Sequence, residues 1–191
     1  MSSPDSTAIL RNIQDRGWLK AINNRGSMRD DAVIMGGGKR GLEDYKNLPD
    51  LYKPIRIACN HHIYNQKIAT HYLCFVDQPD QHPDLKAAIS STSSIKVSTR
   101  HIDSANIVIE DHKKYCIYGA GQLAVWVALK ETPGNVYLCG FDLYENDPEK
   151  HEEHIMRWTR FLYRHKESVH RIIPMSGPLV DMVGWFNGHS K

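Results

Sequence analysis

The sequence lacks the features that would assign the protein to a membrane or to an oxidising compartment. No apolar run approaches the roughly 20 residues that a helix needs to cross a bilayer. The first residues, MSSPDSTAILRN, lack the basic-then-apolar order of a secretion signal. The four cysteines lie among apolar, strand-like residues and form no CxxC pair: Cys59, Cys74, Cys116 and Cys139. We therefore expect a cytoplasmic protein without a membrane partner, with buried thiols rather than a zinc site.

The chain also has little net charge and no motif for covalent hydrolysis. Its 24 Lys and Arg residues nearly balance 22 Asp and Glu residues, which argues against a nucleic-acid partner. The Gly-x-Ser-x-Gly elbow of serine hydrolases is missing, so a serine nucleophile has no local support. At 191 residues, 41% of them hydrophobic, the chain suits one globular domain with a substantial core. The sequence is also compatible with a homo-oligomer.

A central unit lies between residues 115 and 144. Gly119 and Gly121 open an apolar run that predicts a core helix, and Pro133 and Gly134 end it. Residues 135–140 then predict a buried strand, with Asp142 just past its end. This order is typical of α/β ligand-binding folds. We predict a single Rossmann-like α/β domain over residues 1–191, with a mostly parallel sheet flanked by helices.

Three weaker patterns complete this prediction. Residues 78–114 combine weak helices with many polar side chains and are a candidate flap over the pocket. Asp147 and Pro148 predict the start of a helix that runs to about Lys166. Residues 169–174 predict a last strand, and residues 179–186 a short apolar tail.

A glycine loop follows the first predicted strand, at residues 31–35. It consists of Gly36, Gly37, Gly38, Lys39 and Arg40. Glycines after a buried strand let backbone N–H groups approach a phosphate, and the two cations could add positive charge. The loop matches neither the P-loop nor the Rossmann fingerprint, and a flexible turn with a solvated basic pair is the alternative. We favour phosphate or nucleotide binding.

Polar residues also follow other predicted strands. Asn60 and His61 come after residues 55–59, and Asp77 after residues 71–76. Since parallel strands end at one edge of a sheet, these residues and Asp142 should line a common crevice. Asn60 could bond a base or ribose; His61 could do so, act as an acid or base, or be an exposed loop histidine. Asp142 could bind a hydroxyl or a metal, or simply cap a turn.

His151 and His154 are spaced three residues apart, in the sequence HEEH. Zinc proteases of the relevant class use histidines four residues apart, so the spacing argues against metal binding. A single histidine acting as general base fits better, because this segment follows the loop that leaves the central strand.

Three segments together resemble the bacterial sialyltransferases of glycosyltransferase family 42: AVIMGGGKRGLEDY, IRIACNHHIY and IYGAGQLAVWVALKETPGNVYLCGFDLYEND. They are equally similar to the family-115-type domains of unknown function, which include archaeal pterin diphosphokinase-like proteins. The resemblance implies a nucleotide site built from residues at several strand ends. Its members would be Gly36, Gly37 and Gly38 at the phosphates, Asn60 at the sugar or base, Gly119, Ala120 and Gly121 beside the donor, and Gly140, Asp142 and Tyr144 on the far wall.

In those sialyltransferases a histidine beyond the far wall is the general base, and His151 is the nearest candidate, with His154 as its substitute. The chain departs from the family at Lys39 and Arg40, which stand where the family has Pro-Ser.

We therefore expect a transferase that uses a nucleotide-activated donor, such as a nucleotide-sugar, and no further cofactor. A small-molecule or glycan acceptor would displace the nucleotide directly. One alternative is Mg²⁺-dependent diphosphate transfer from a nucleoside triphosphate to a small heterocycle, with Asp77 and Asp142 as the metal ligands. Another is a non-catalytic nucleotide-binding module.

Overall fold

A computed structural model describes residues 31–60 and 68–189 of the chain. Seven strands form one sheet in the order β5-β4-β3-β2-β1-β6-β7, and every neighbouring pair is parallel. The strands are β1 (Ala32–Met35), β2 (Ile55–Cys59), β3 (Tyr72–Phe75), β4 (Ile95–Ser98), β5 (Ile107–Val108), β6 (Val136–Cys139) and β7 (Ile172–Pro174). The predicted Rossmann-like α/β fold is confirmed.

Five α-helices flank this sheet within the described ranges. They are α1 (Gly41–Lys46), α2 (Pro83–Ser91), α3 (Ala120–Glu131), α4 (Pro148–Arg164) and α5 (Leu179–His189). Short 3₁₀ helices cover Pro79–Gln81 and Lys166–Arg171. The apolar tail predicted over residues 179–186 is thus part of a helix. The strand predicted over residues 169–174 is wrong in its first half, which belongs to a 3₁₀ helix.

The direction of the sheet reverses at β1. From β1 the chain adds β2, β3, β4 and β5 on one side, and α3 then carries it back to β6 on the other side. A parallel sheet opens a crevice at such a reversal, at the carboxyl ends of the two diverging strands. The junction between β1 and β6 is therefore where this fold favours a ligand.

The core divides between the two faces of the sheet because strand side chains alternate. One face, with Ile34 and Ile57, packs against α3, α4 and α5. On the other face, Val33 and Met35 pack with Tyr45 of α1, while Leu73 and Phe75 of β3 pack with α2. Helix α3 is mostly buried, as predicted, because eight of its twelve residues lie in the core and the helix packs against β1, β2, β3 and β6.

Residues 78–114 supply parts of the sheet itself. They contain α2 and the strands β4 and β5, which extend the sheet from β3. A flap role stays a prediction, and it concerns only the loops between these elements.

Burial of the cysteines agrees with the sequence for three of the four. Cys59, Cys74 and Cys139 are buried, and burial raises the pKa of both Cys59 and Cys139 to about 12. Cys116 is only half-buried, so the expectation of a buried thiol is wrong there. In the described ranges, no helix has the length and apolar character to cross a membrane.

Candidate functional site

The loops after β1 and β6 are joined by backbone hydrogen bonds. Gly36 N–H donates to Cys139 O, and Gly38 N–H donates to Gly140 O, both at 2.8 Å. A Cβ atom on Gly38 would lie 2.5 Å from Asp142 Cγ and 2.6 Å from Gly140 O. Contacts this short are not tolerated, so glycine is required for the two loops to meet. The sequence prediction that these loops share one edge is confirmed.

The carboxylate of Asp142 lies against the glycine loop. Its Oδ2 accepts a hydrogen bond of 2.7 Å from the N–H of Lys39. Together with the bonds of Gly36 and Gly38, this directs three N–H groups of the loop to acceptors within the protein. Phosphate binding by the loop stays a prediction, and it would have to use other groups than these three.

The two cations of the loop have different surroundings. The Arg40 guanidinium contacts Glu145 Oε1 at 2.7 Å, and its Nε lies 3.7 Å from Asp142 Oδ1. Arg40 and Glu145 are both partly exposed, so this pair contributes little to stability. The Lys39 side chain is exposed and forms no ion pair with the described residues. Lys39 is therefore the cation of this loop that could meet an incoming anion.

Asp44 of α1 joins two loops of the same edge by hydrogen bonds, a role that the sequence does not reveal. It is 5% exposed, and its Oδ2 accepts hydrogen bonds of 2.8 Å from Gly140 N–H and from the Ser176 hydroxyl. Position 140 favours glycine because its φ is +72°, a left-handed backbone conformation that residues with a side chain rarely adopt. Asp44 thus links the loop after β6 to the loop after β7, which contains Ser176 and Gly177.

Asn60 and Asp77, at the ends of β2 and β3, also lie together. Asn60 Nδ2 donates to Asp77 Oδ2 at 3.2 Å, while Asn60 Oδ1 is buried and accepts no hydrogen bond from the described residues. The backbone of Asn60 is left-handed, with φ of +51°. His61, the neighbouring candidate, lies outside the described residues.

Asp77 and Asp142, the two carboxylates of the magnesium alternative, are not brought together. β3 and β6 are separated by β2 and β1, which is three strand spacings or about 14 Å. Magnesium binds its ligands at about 2 Å, so one ion cannot contact both carboxylates. Among the described residues, no group of three or more His, Cys, Asp or Glu side chains is arranged to hold a metal.

The turn that begins α3 reaches the same edge, near the end of β2. Cys59 Sγ lies 3.8 Å from Ala120 O. A Cβ atom on Gly121 would lie 2.7 Å from the Phe141 ring and 3.3 Å from Trp158, so this glycine serves helix packing. A Cβ atom on Gly119 would meet Gln122 Oε1 at 3.9 Å, an ordinary van der Waals contact, and no side chain caps the helix there. Gly119 is the member of this turn that leaves room for a ligand.

His151 is held by the loop that leaves β6. Its Nδ1 lies 2.9 Å from the carbonyl oxygen of Leu143. A carbonyl can only accept, so Nδ1 carries the proton in the neutral ring and Nε2 keeps a free lone pair. This is the tautomer that a general base acting through Nε2 needs.

His154 lies one helical turn further along α4, in contact with Tyr144. The ring centroids of Tyr144 and His154 are 4.7 Å apart, and Tyr144 is 54% exposed. Burial, followed by the nearby charge of Arg157, lowers the pKa of His154. The lowered pKa favours the neutral form of His154. Its ring packs against the ring of Tyr144.

Backbone strain is concentrated at this edge of the sheet. Five of the seven positive-φ residues in the described ranges lie there: Asn60, Gly140, Leu143, Tyr144 and Gly177. Leu143 and Tyr144 are consecutive and lack the freedom of glycine, so each costs about 1–2 kcal/mol. Such strain persists where the surrounding contacts enforce it, which is common at functional sites.

Comparison with known proteins does not add a family. No family model matches the chain, and neither a curated protein nor a solved structure matches it. The fold and the site therefore define the class of protein by themselves. It is an α/β protein with a parallel Rossmann-like sheet and polar, strained loops where the strand order reverses.

Proposed function

We propose that this protein is a transferase that uses a nucleotide-activated donor, most similar in chemistry to a glycosyltransferase. The nucleotide would lie across the junction of β1 and β6, and a hydroxyl of the acceptor, a small molecule or a glycan, would displace it directly. The resemblance to the sialyltransferases supports this proposal, as does the order of the crevice residues along the chain.

The orientation of His151 is the observation that carries the proposal. The Leu143 carbonyl fixes the proton on Nδ1, so Nε2 can accept the proton of an acceptor hydroxyl. Leu143 belongs to the same loop as Asp142, which borders the glycine loop. The base is thereby tied to the crevice through one short, strained segment.

Charge around the crevice supports the assignment of the remaining roles. The exposed ammonium group of Lys39 would stabilise the growing charge on the leaving phosphate. Asn60 and Asp142 would bind the nucleotide through polar atoms at two strand ends. Diphosphate transfer with magnesium has less support, because its two ligands lie on strands about 14 Å apart.

Calorimetric titration with CMP, UDP, GDP and ATP, with and without Mg²⁺, tests the proposal. We expect CMP, UDP or GDP to bind without metal. Binding of ATP only with Mg²⁺ would favour diphosphate transfer. No binding by any nucleotide would contradict the proposal and both alternatives, because all three need a nucleotide.

A second experiment tests the base. With the sugar conjugate of the nucleotide that binds, we measure nucleotide release in the presence of acceptor. His151→Ala should slow turnover at least about 100-fold while nucleotide affinity stays within about twofold, because a general base contributes about 10²–10⁴ to the rate. His170→Ala, at an exposed histidine on the opposite edge, is the control and should change neither quantity. Unchanged turnover in His151→Ala would refute the assignment of the base.

A further inference from the structure

We propose that the glycine loop with Asp142 is a subsite for ribose hydroxyls, and that the phosphates of the donor bind outside it. This inference rests on the proposed function, since it specifies which part of the nucleotide the crevice holds. Three observations lead to it: three of the five loop N–H groups bond to acceptors within the protein, a carboxylate lies against the loop, and two buried oxygen atoms at the ends of the strands beside β1 lack a donor.

Three of the five N–H groups of the loop are already hydrogen-bonded within the protein. Gly36, Gly38 and Lys39 donate to Cys139 O, Gly140 O and Asp142 Oδ2, at 2.7 to 2.8 Å. A loop that cradles phosphate needs such groups directed at the ligand. Here the bonds of Gly36 and Gly38 also hold the two loops together, so a phosphate could not take them without separating β1 from β6 at this edge.

Asp142 places a negative charge beside the loop. Its carboxyl carbon would lie 2.5 Å from a Cβ atom on Gly38, so the group packs directly on the loop backbone. A phosphate in the same place would face this carboxylate at close range, and like charges at that distance repel. The carboxylate of Asp142, from the loop after β6, therefore lies beside the glycine loop, where a P-loop would hold a phosphate.

Two of the buried atoms left without partners at this edge are acceptors at strand ends, and a third, Gln122 Nε2 in the first turn of α3, is a donor. Asp142 Oδ1 and Asn60 Oδ1 are buried and accept no hydrogen bond from the described residues; Arg40 Nε lies 3.7 Å from the former, beyond hydrogen-bond distance. Buried polar atoms in native proteins are nearly always paired, so unpaired ones at a crevice indicate a ligand that supplies the missing groups. A phosphate offers acceptors only and cannot satisfy the two oxygen atoms.

The positions of these two acceptors fit a nucleoside. They follow β2 and β6, the two neighbours of β1, and therefore flank the glycine loop about 10 Å apart. Gly36 and Gly38 pack against Gly140, Phe141 and Asp142, so the exposed glycine between the two acceptors is Gly37. Ribose offers a pair of hydroxyl donors to a carboxylate, as in other parallel α/β folds, and the base offers polar groups to Asn60. Phosphates would then project past the loop towards the exposed Lys39.

The experiment compares ligands that separate the two parts of a nucleotide. After the nucleotide screen above, we titrate the protein with the nucleoside of the nucleotide that binds, with its 2′,3′-dideoxy analogue and with inorganic pyrophosphate. The nucleoside should bind within about tenfold of the nucleotide. The dideoxy analogue should lose at least tenfold, because it leaves the buried acceptor unpaired. Pyrophosphate should not compete with the nucleoside.

Asp142→Asn is the decisive variant, because it replaces one acceptor oxygen by a donor and removes the charge. Nucleoside affinity should fall at least tenfold, whereas pyrophosphate affinity should stay the same or increase. Glu145→Gln is the control: it removes the other carboxylate near Arg40 and should leave nucleoside affinity unchanged. Thermal melts of both variants verify that they are folded.

The outcomes separate this inference from the proposed function. If the nucleotide binds but its nucleoside does not, or if the dideoxy analogue binds equally well, the phosphate is the anchor. The ribose subsite is then overturned while the transferase proposal survives. If neither nucleotides nor nucleosides bind, both fail.

Discussion

The two edges of the same sheet are built differently. At the amino edge, loops are joined by hydrogen bonds with little strain: Asp31 Oδ1 accepts from Asn135 N–H at 2.8 Å, and Arg171 donates to the carbonyls of Gly134 and Thr132. At the carboxyl edge, five described residues have positive φ; the other two are Lys53, beside the start of β2, and Cys116, in the loop between β5 and α3. The amino edge is joined by hydrogen bonds between its loops, whereas the carboxyl edge contains most of the unfavourable backbone conformations.

If the carboxyl edge binds the ligand as proposed, residues that stabilise the fold and residues that bind the ligand lie at opposite ends of the strands. Proteins keep strained residues at sites where the geometry itself is useful, and compensate for them elsewhere. Changes at the amino edge should therefore alter the free energy of unfolding without altering ligand affinity. Changes at the carboxyl edge should alter both, and in some cases in opposite directions.

The largest effect is expected for Gly38→Ala at the carboxyl edge. Its Cβ would clash with Asp142 and with the backbone oxygen of Gly140, so the two loops must separate. We expect a loss of about 3 kcal/mol in the free energy of unfolding, measured by urea denaturation. Gly119→Ala, at the other glycine turn of this edge, is the control and should cost less than about 1 kcal/mol, because its Cβ would meet Gln122 Oε1 only at an ordinary contact distance of 3.9 Å. Equal costs would contradict the assigned loop contact.

Arg171→Ala should give the next largest effect, at the amino edge. The variant removes hydrogen bonds from a charged donor to two carbonyls, so we expect a loss of about 2 kcal/mol. Nucleotide affinity should stay within twofold, because the side chain lies at the opposite end of the strands. A tenfold fall in affinity would show that the two edges are not independent.

Tyr144→Gly should be more stable than Tyr144→Ala by about 1 kcal/mol. Both variants remove the ring, but only glycine adopts φ of +58° without cost. Thermal melts of the pair measure the strain alone, free of the lost contact with His154. An alanine variant as stable as the glycine variant would mean that the strain is relieved when the ring is removed.

The smallest effect is a pH dependence at the amino edge. Burial raises the pKa of Glu131 above its ordinary value of 4.5, and the 2.7 Å hydrogen bond from Tyr72 opposes the shift. The folded protein then holds the Glu131 proton to a higher pH than the unfolded chain. Its contribution to stability is present below pH 4.5 and is lost as pH rises through the folded pKa. Urea denaturation between pH 4 and 7 should show this decline in the wild type relative to Glu131→Gln.

The sequence predicts the sheet better than the ends of its elements. Residues 55–59 are predicted as a strand with the bounds that the structure has, because a short apolar run ends at a polar residue. Residues 169–174 are predicted less well. Val169 is fully buried, but in a 3₁₀ helix, and apolar character alone does not distinguish that from a strand.

Part of the candidate site is also predictable, since parallel strands bring their carboxyl ends to one edge. This rule alone places the glycine loop, Asn60 and Asp142 on one rim. It does not find Asp44, because an acidic residue in a short helix normally faces solvent. Its partners Gly140 and Ser176 are 96 and 132 residues away along the chain, and no local pattern encodes contacts of that range.

The central position of β1 also affects how the chain is made. β1 ends at residue 35, but β6, which covers its second edge, begins at residue 136. A ribosome adding about 5–20 residues per second needs roughly 5–20 s for that interval. Throughout it, a strand of four apolar residues has one unpaired edge, which is a template for association with other chains. The newborn chain is therefore expected to be most prone to association with other chains before β6 has been made.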